Sequence, residues 1–424
     1  MKGLGVTILI ILVLGCFDRK GESFPIPRPQ TLPEFSFPDI SYEEYHNKVL
    51  GFLVGSAIGD AMGSPVEMWS AGQIEDRFGF IDKLIINSRA SSAEGPWGSN
   101  LPAGTGTDDT RWKYLFGKYL LGQSRADQRS ETFAHFIQQQ YEGLKRSLDE
   151  TDSFDADKLE VNIKYLQWLQ EWAIVANAYL SGDIDRYNER LAKFYGGEMA
   201  CAGLLYAPLL GMLYPGDPIN AYLAGWDHSI FDLGYAKDLT SMSAALTAAA
   251  MTYESVDSIL NLHQWVDPKN YTDSRLIGRI CNQIHEGTLA AQRKDLIAGS
   301  VKETPDYFLG DTMKHKRMLA TFQSMDPHLK AIPFHADEIY RISLNALAFS
   351  GGNFMDAMVF ITNYGRDNDT IGAVAGGILG AFTGYTALPE KMCRTVIDAH
   401  RDILNIDLES LAEDLAMAFY AGSD

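Results

Sequence analysis

Two stripes of glycine constrain this chain more than any other feature. Gly51, Gly55 and Gly59 fall at four-residue intervals, and Gly372, Gly376, Gly380 and Gly384 repeat that spacing far downstream. Residues four apart share one face of an α-helix. Each glycine costs a helix about 1 kcal/mol relative to alanine. A soluble helix keeps such a stripe where another backbone must approach more closely than a Cβ allows. A tightly packed core helix would satisfy the first stripe. Docking of the two stripes on each other explains both. It predicts one site assembled from residues about 260 positions apart, because each stripe ends in acids: Asp60 and Glu67 after the first, Asp367 and Asp369 before the second.

The rest of the body reads as helix. Apolar residues recur on a helical period over 42–62, 112–122, 129–147, 157–180, 199–213, 217–225, 235–252, 272–295, 335–350, 353–363, 370–384 and 408–420. Strict alternation is scarce, and a short extended segment around 84–86 is the one strand-like stretch. Stops such as Tyr214-Pro215-Gly216-Asp217-Pro218 and Ser350-Gly351-Gly352-Asn353 punctuate the helices. The predicted fold class is all-α, a compact multi-helix bundle. No internal repeat or shift of composition divides residues 41–424, so they form one domain, expected to act as a monomer. Residues 87–106 form a long loop rich in Ser, Gly, Ala and Pro that ends on Thr107. Loops of that length in compact domains are often functional.

The N-terminus reads as a targeting segment. Met1 and Lys2 precede an apolar run over 4–14, too short for a membrane span of about 20 residues but suited to a secretory signal. It ends Val13-Leu14-Gly15-Cys16, which resembles a bacterial lipobox. Residues 1–16 are therefore expected to be a lipoprotein signal peptide, with a lipid on Cys16 tethering the protein to the cell envelope, on its periplasmic or extracellular face. A plain signal peptide cut elsewhere is the alternative. Residues 17–40 carry Pro25, Pro27, Pro29, Pro33 and Pro38 and read as an extended tether.

Charge narrows the partners. Against 36 Lys and Arg stand 55 Asp and Glu, a formal net charge of -19. No basic run offers the footprint that displaces counterions from phosphates, so a nucleic-acid partner is excluded. Cys201, Cys281 and Cys393 are far apart and odd in number, which argues for buried thiols rather than disulfides. No pair of the nine histidines has metal-ligand spacing.

Two motifs carry chemistry. Thr107-Asp108-Asp109-Thr110 places four oxygen-bearing side chains in a row before a helical stretch, and Asp367-Asn368-Asp369-Thr370 repeats that arrangement. Such residues cap helix N-termini. Capping needs one acceptor, however, and oxygen-rich clusters also suit hard cations such as Mg²⁺ or Mn²⁺.

In order, Gly59-Asp60-Ala61-x-Gly63-x-Pro65-x-Glu67, Thr107-Asp108-Asp109-Thr110 and Gly365-x-Asp367-x-Asp369-Thr370-x-Gly372-Ala373-x-Ala375-Gly376 resemble the signature of the ADP-ribosylglycohydrolases. The dinitrogenase reductase-activating glycohydrolases belong to that family. The resemblance covers most of residues 44–390, including the Ala207-Pro208-Leu209 segment. It implies an all-α hydrolase with two Mg²⁺ or Mn²⁺ ions held by Thr107, Asp108, Asp109, Asp367, Asp369 and Thr370. It further implies that Glu67, outside the ligand set, or Asp109 serves as catalytic base. The implied reaction cleaves an N- or O-glycosidic bond at ribose C1, releasing ADP-ribose from a protein side chain or small acceptor.

Three stretches depart from the family pattern. Lys193-Phe194-Tyr195-Gly196-Gly197-Glu198 lacks the Asn of a Tyr-Gly-Asn-Gly-like diphosphate loop and adds an acid, Thr240-Ser241 stands where many members have Thr-His, and the stretch over 123–192 is extended. The altered loop keeps open a different riboside or glycoside as substrate, or a non-catalytic sugar-binding role. Trp168 and Trp172 of the extension, at i and i+4, are expected in the core. Trp69, Trp97 and Tyr364 lie near the motifs, where packing and stacking on a substrate are both open.

Overall fold

The computed structural model describes residues 34–88, 101–150, 156–293 and 303–420. The leader, Cys16, the proline-rich stretch through Pro33, and Trp97 lie outside them. The described chain is all-α. The N-terminal part comprises α1 (Tyr42–Gly63), α2 (Ala71–Phe78), α3 (Asp108–Leu121), α4 (Ser130–Glu150), α5 (Ala156–Leu180) and α6 (Ile184–Leu191). The middle comprises α7 (Pro218–His228), α8 (Ala236–Ala250), α9 (Val256–Leu260), α10 (Ile280–Arg293) and α11 (Thr312–Met325). The C-terminal part comprises α12 (Ala336–Ser350), α13 (Phe354–Tyr364), α14 (Asn368–Thr383), α15 (Glu390–Leu404) and α16 (Leu408–Phe419).

α1 and α14 form the axis of the body. Gly51 faces the carbonyl of Gly380, Gly55 that of Gly376 and Gly59 that of Gly372, so the helices run antiparallel. A Cβ at any of these positions would overlap the opposite backbone. The two stripes dock on each other as their spacing predicts. Although α1 is long and apolar enough to cross a membrane, its apolar stretch is wholly buried in the body.

Several expectations need correction. The stretch over 199–213 is not one α-helix but two 3₁₀ segments, Ala202–Leu205 and Ala207–Leu213. Pro208 has no N–H to donate, and Gly211 lies against the backbone of α8. The helix expected from 272 begins only at Ile280, leaving Leu276 and Ile277 exposed. No strand forms at 84–86. The two-stranded ribbon is instead antiparallel β1 (Trp69–Ser70) and β2 (Gly365–Arg366). Helices α2, α6, α9, α11 and α15 also form, outside the stretches read as helix from the sequence, each burying part of its apolar face.

Packing also reaches further back than residue 41. Ser41 caps α1 by accepting from the Glu44 N–H at 3.1 Å. Before it, Phe35 packs edge-on to Tyr214 and Phe37 to Tyr45 and Tyr420, while the Arg125 guanidinium covers Phe35. Trp168 and Trp172 are buried, 4.8 and 4.1 Å from the ring of Trp112. Cys201, Cys281 and Cys393 are buried, and none of them is in a disulfide among the described residues.

Candidate active site

The antiparallel docking of α1 and α14 sets the end of one helix beside the start of the other. Gly63, the last residue of α1, lies against the backbone of Asn368 and Asp369. The chain then turns through Ser64–Val66, and Met68 takes a left-handed φ of 66°. Its N–H donates to the Arg366 carbonyl at 2.6 Å. The β1–β2 ribbon thus carries Glu67 to Asp367. Arg366, also left-handed at φ 69°, points its guanidinium onto Glu338 at 2.6 and 3.1 Å, so its charge is already matched.

Asp60 is the hub of the buried side. It is fully buried at the end of α1 and accepts from the Thr107 N–H at 2.9 Å and hydroxyl at 3.0 Å. It also accepts from the Thr110 N–H at 3.1 Å and hydroxyl at 2.6 Å. A carboxylate thus anchors the N-terminus of α3, where helix N–H groups are otherwise unpaired. Gly106 passes between Asp60 and His400, leaving no room for a side chain. Thr107 caps α3, accepting from the Asp109 N–H at 3.3 Å. Asp109 in turn accepts from the Thr370 hydroxyl at 2.9 Å, and Lys113 lies 3.5 Å away.

A narrow cleft opens on the other side of these residues. Glu67, Met68, Asp108, Asp367, Asp369 and Thr370 line it, opposite Tyr195, Cys201 and Phe334. Oxygens of Glu67, Asp367 and Asp369 lie within 4.8 Å of one another. Glu67 therefore joins the acidic group, although the resemblance sets it outside the ligand set. The Cys201 thiol approaches Asp367 at 4.0 Å. Thr107 and Asp109 do not line the cleft; they stand behind its wall.

The electrostatics are one-sided. Asp60, Glu67, Asp108, Asp109, Asp367 and Asp369 crowd together, all buried except the half-buried Glu67. Against them, among the described residues, stand the buried cations Lys113 and Arg111, leaving a formal surplus of four negative charges. Burial pushes the Asp109 carboxyl up to about 8, with Lys113 opposing and Asp60 and Asp369 adding to the rise. Burial, then Asp369 and Glu67, hold Asp367 well above the usual carboxylate range. Burial and Asp369 raise Asp60 too. An all-oxygen group of carboxylates with an unmatched formal charge could hold a divalent cation.

The family description ADP-ribosylglycohydrolase matches residues 41–424. The chain belongs to the ADP-ribosylglycohydrolase family. That family comprises hydrolases of glycosidic bonds. A solved structure described as an ADP-ribosylglycohydrolase-related protein complex shares the fold, with a TM-score of 0.52 at 19% identity over 88% of this chain and 99% of that one. A short stretch also matches YegU, an uncharacterized protein of Escherichia coli (strain K12), at 39% identity over 46 residues. It spans 11% of this chain and 14% of that relative.

Of the residues that ADP-ribosylglycohydrolase motifs nominate, the fold draws all into one cluster. Asp60, the acid at the end of the first glycine stripe, stands with them. Lys113, Arg111, Cys201, Tyr195 and Phe334 join from elements whose approach no local pattern encodes. The aromatic walls are likewise not those near the motifs: Tyr364 is buried and donates to Asp326 at 3.2 Å, and Trp69 packs on Phe78. Tyr195 sits in a left-handed run with Gly196 and Gly197 and faces Phe334, ring centres 5.9 Å apart. The exposed Glu198 follows it. Thr240 is buried against Gly203, away from the cleft lining.

Proposed function

We propose that this protein is a metal-dependent hydrolase that cleaves an ADP-ribosyl N- or O-glycosidic bond at ribose C1, releasing ADP-ribose from a protein side chain or small acceptor. One observation carries the reading: six carboxylates from three distant segments meet beside one cleft with a surplus of four charges. Two Mg²⁺ or Mn²⁺ ions would be held by Thr107, Asp108, Asp109, Asp367, Asp369 and Thr370, with Glu67 within reach. Bound there, such ions orient ribose hydroxyls and lower the pKa of water.

The residues of the chain divide the remaining work. Glycoside cleavage passes through an oxocarbenium-like state and needs one proton delivered and one removed. Glu67 faces the cleft and is the group placed to move a proton. Asp109 is the alternative base, but its place behind the cleft wall and its bond from Thr370 suit it better to holding the ligand set in shape. Asp60 fixes the start of α3, so Asp108 points at the cleft from a rigid base. Tyr195 and Phe334 form aromatic walls that would exclude water and receive a sugar or base.

The protein is further proposed to act at the cell envelope, as a monomer tethered by a lipid on Cys16. One feature favours a second reading, a riboside without a diphosphate: the 193–198 loop lacks its expected Asn and ends in Glu198.

Full-length protein incubated with ADP-ribosyl-arginine, ADP-ribosyl-serine and simple ribosides tests the proposal, each with Mg²⁺, Mn²⁺ or EDTA. Metal-dependent release of ADP-ribose, absent in Asp367→Asn/Asp369→Asn, is the expected result. Release of ribose from simple ribosides alone would favour the second reading. No turnover of any of them with metal bound would overturn both.

A further inference from the structure

A second groove lies across the β1–β2 ribbon from the cleft. Its volume is about 730 Å³, within the usual range for ligand sites. One wall is α2 and the turn after it, with Glu75, Phe80 and Asp82; the other holds Glu303, Asp306 and Tyr307. None of these four carboxylates is paired with a cation among the described residues. Phe80 packs against Tyr307 and Phe308, ring centres 6.2 and 5.7 Å apart. Asn363 forms part of the groove lining and clamps Ile81, accepting from its N–H at 2.9 Å and donating to its carbonyl at 2.8 Å.

His315 supplies an independent observation. It lines the groove at 5% exposure, with its ring stacked on Phe308. Its Nδ1 makes no hydrogen bond among the described residues. A buried polar atom without a partner is costly and rare in folded proteins. Carboxylates on both walls, aromatic faces between them and a buried imidazole form a lining that recognises guanidinium and ammonium groups.

We infer that this groove docks a basic peptide segment, arginine- or lysine-bearing, of a protein partner. Acids on both walls suit several cations along an extended chain better than one small amine. The groove also adjoins the cleft: Met68 lines the cleft, and the helix that follows Ser70 walls the groove. If the proposed glycohydrolase reading holds, the docked segment is the basic flank of a modified side chain seated in the cleft. The binding itself does not depend on that reading.

Fluorescence anisotropy of the full chain with a labelled peptide of alternating arginine and alanine tests the inference. Its citrulline counterpart is the neutral probe. Tight, salt-sensitive binding of the arginine peptide is expected, weakened at least tenfold in Glu75→Gln/Asp306→Asn with an unchanged melting temperature. Asp149→Asn/Glu150→Gln, exposed acids on α4, should leave binding unaltered. Equal weakening by that distant pair, or equal binding of the citrulline peptide, would overturn the inference. Asp367→Asn/Asp369→Asn should still bind the peptide, so a failure of the catalytic reading is seen separately. On ADP-ribosylated peptides, the groove variant should raise KM for basic flanks and leave kcat alone; turnover with no preference for basic flanks would count against docking.

Discussion

The Thr370 hydroxyl donates to Asp109 Oδ2 at 2.9 Å, joining residues 261 positions apart. This bond ties the first acidic motif to the second. Groups that orient metal ligands typically change affinity 10- to 100-fold when lost. Thr370→Val should weaken Mn²⁺ binding by about tenfold or more, measured by calorimetry. Unchanged affinity would remove Thr370 from the ligand set and its support.

The surplus charge makes a signed prediction about stability. Without metal, Asp367→Asn should raise the melting temperature or leave it alone, because it removes a like charge beside Asp369 and Glu67. With metal at about 100 times Kd, wild type should gain about 2.7 kcal/mol by linkage, and the variant should gain far less. Calorimetric scans with and without Mn²⁺ decide it. Equal metal-induced shifts in the two proteins would mean that the ion binds elsewhere.

Glu67→Gln separates proton transfer from binding. General acid–base groups contribute about 10²- to 10⁴-fold. The variant should lose that much in kcat with KM little changed. Full activity at saturating substrate would transfer the role to another group.

The glycine seam predicts a large penalty for a small change. Gly55→Ala forces a methyl onto the Gly376 carbonyl in a helix pair with no slack. Overpacking of this kind costs about 1–3 kcal/mol, occasionally more. Urea titration should show that loss, while Gly72→Ala, whose Cβ meets nothing, should be neutral or mildly stabilising.

A buried histidine should limit stability in acid. His285 stacks on His263, and its Nε2 lies 2.7 Å from the Tyr340 hydroxyl. Burial, then His263, lower its pKa to about 3 from an ordinary 6.5. The unfolded chain therefore binds this proton first as pH falls. The stability is whole above about 6.5 and is lost progressively toward pH 3, by at most about 1.4 kcal/mol per pH unit. His285→Gln should flatten the decline measured by urea unfolding between pH 6.5 and 4. An unaltered slope would assign it to other groups.

The sequence by itself determined the helical class, the docking of the two glycine stripes and the acidic motifs at their ends. These are local signals: periodicity records which face is buried, and a glycine stripe records a backbone approach on the same helix that carries it. Tertiary structure decided the rest. The placement of Lys113 and Arg111 against the acids, and of Cys201 and the Tyr195–Phe334 walls across the cleft, depends on separate elements meeting. So does the breaking of residues 199–213 into 3₁₀ segments, where packing against α8 overrides an apolar period. Local preference amounts to about 1 kcal/mol per residue or less. Burial of large side chains, and the crowding of charges out of water, act over distances along the chain that no sequence window spans.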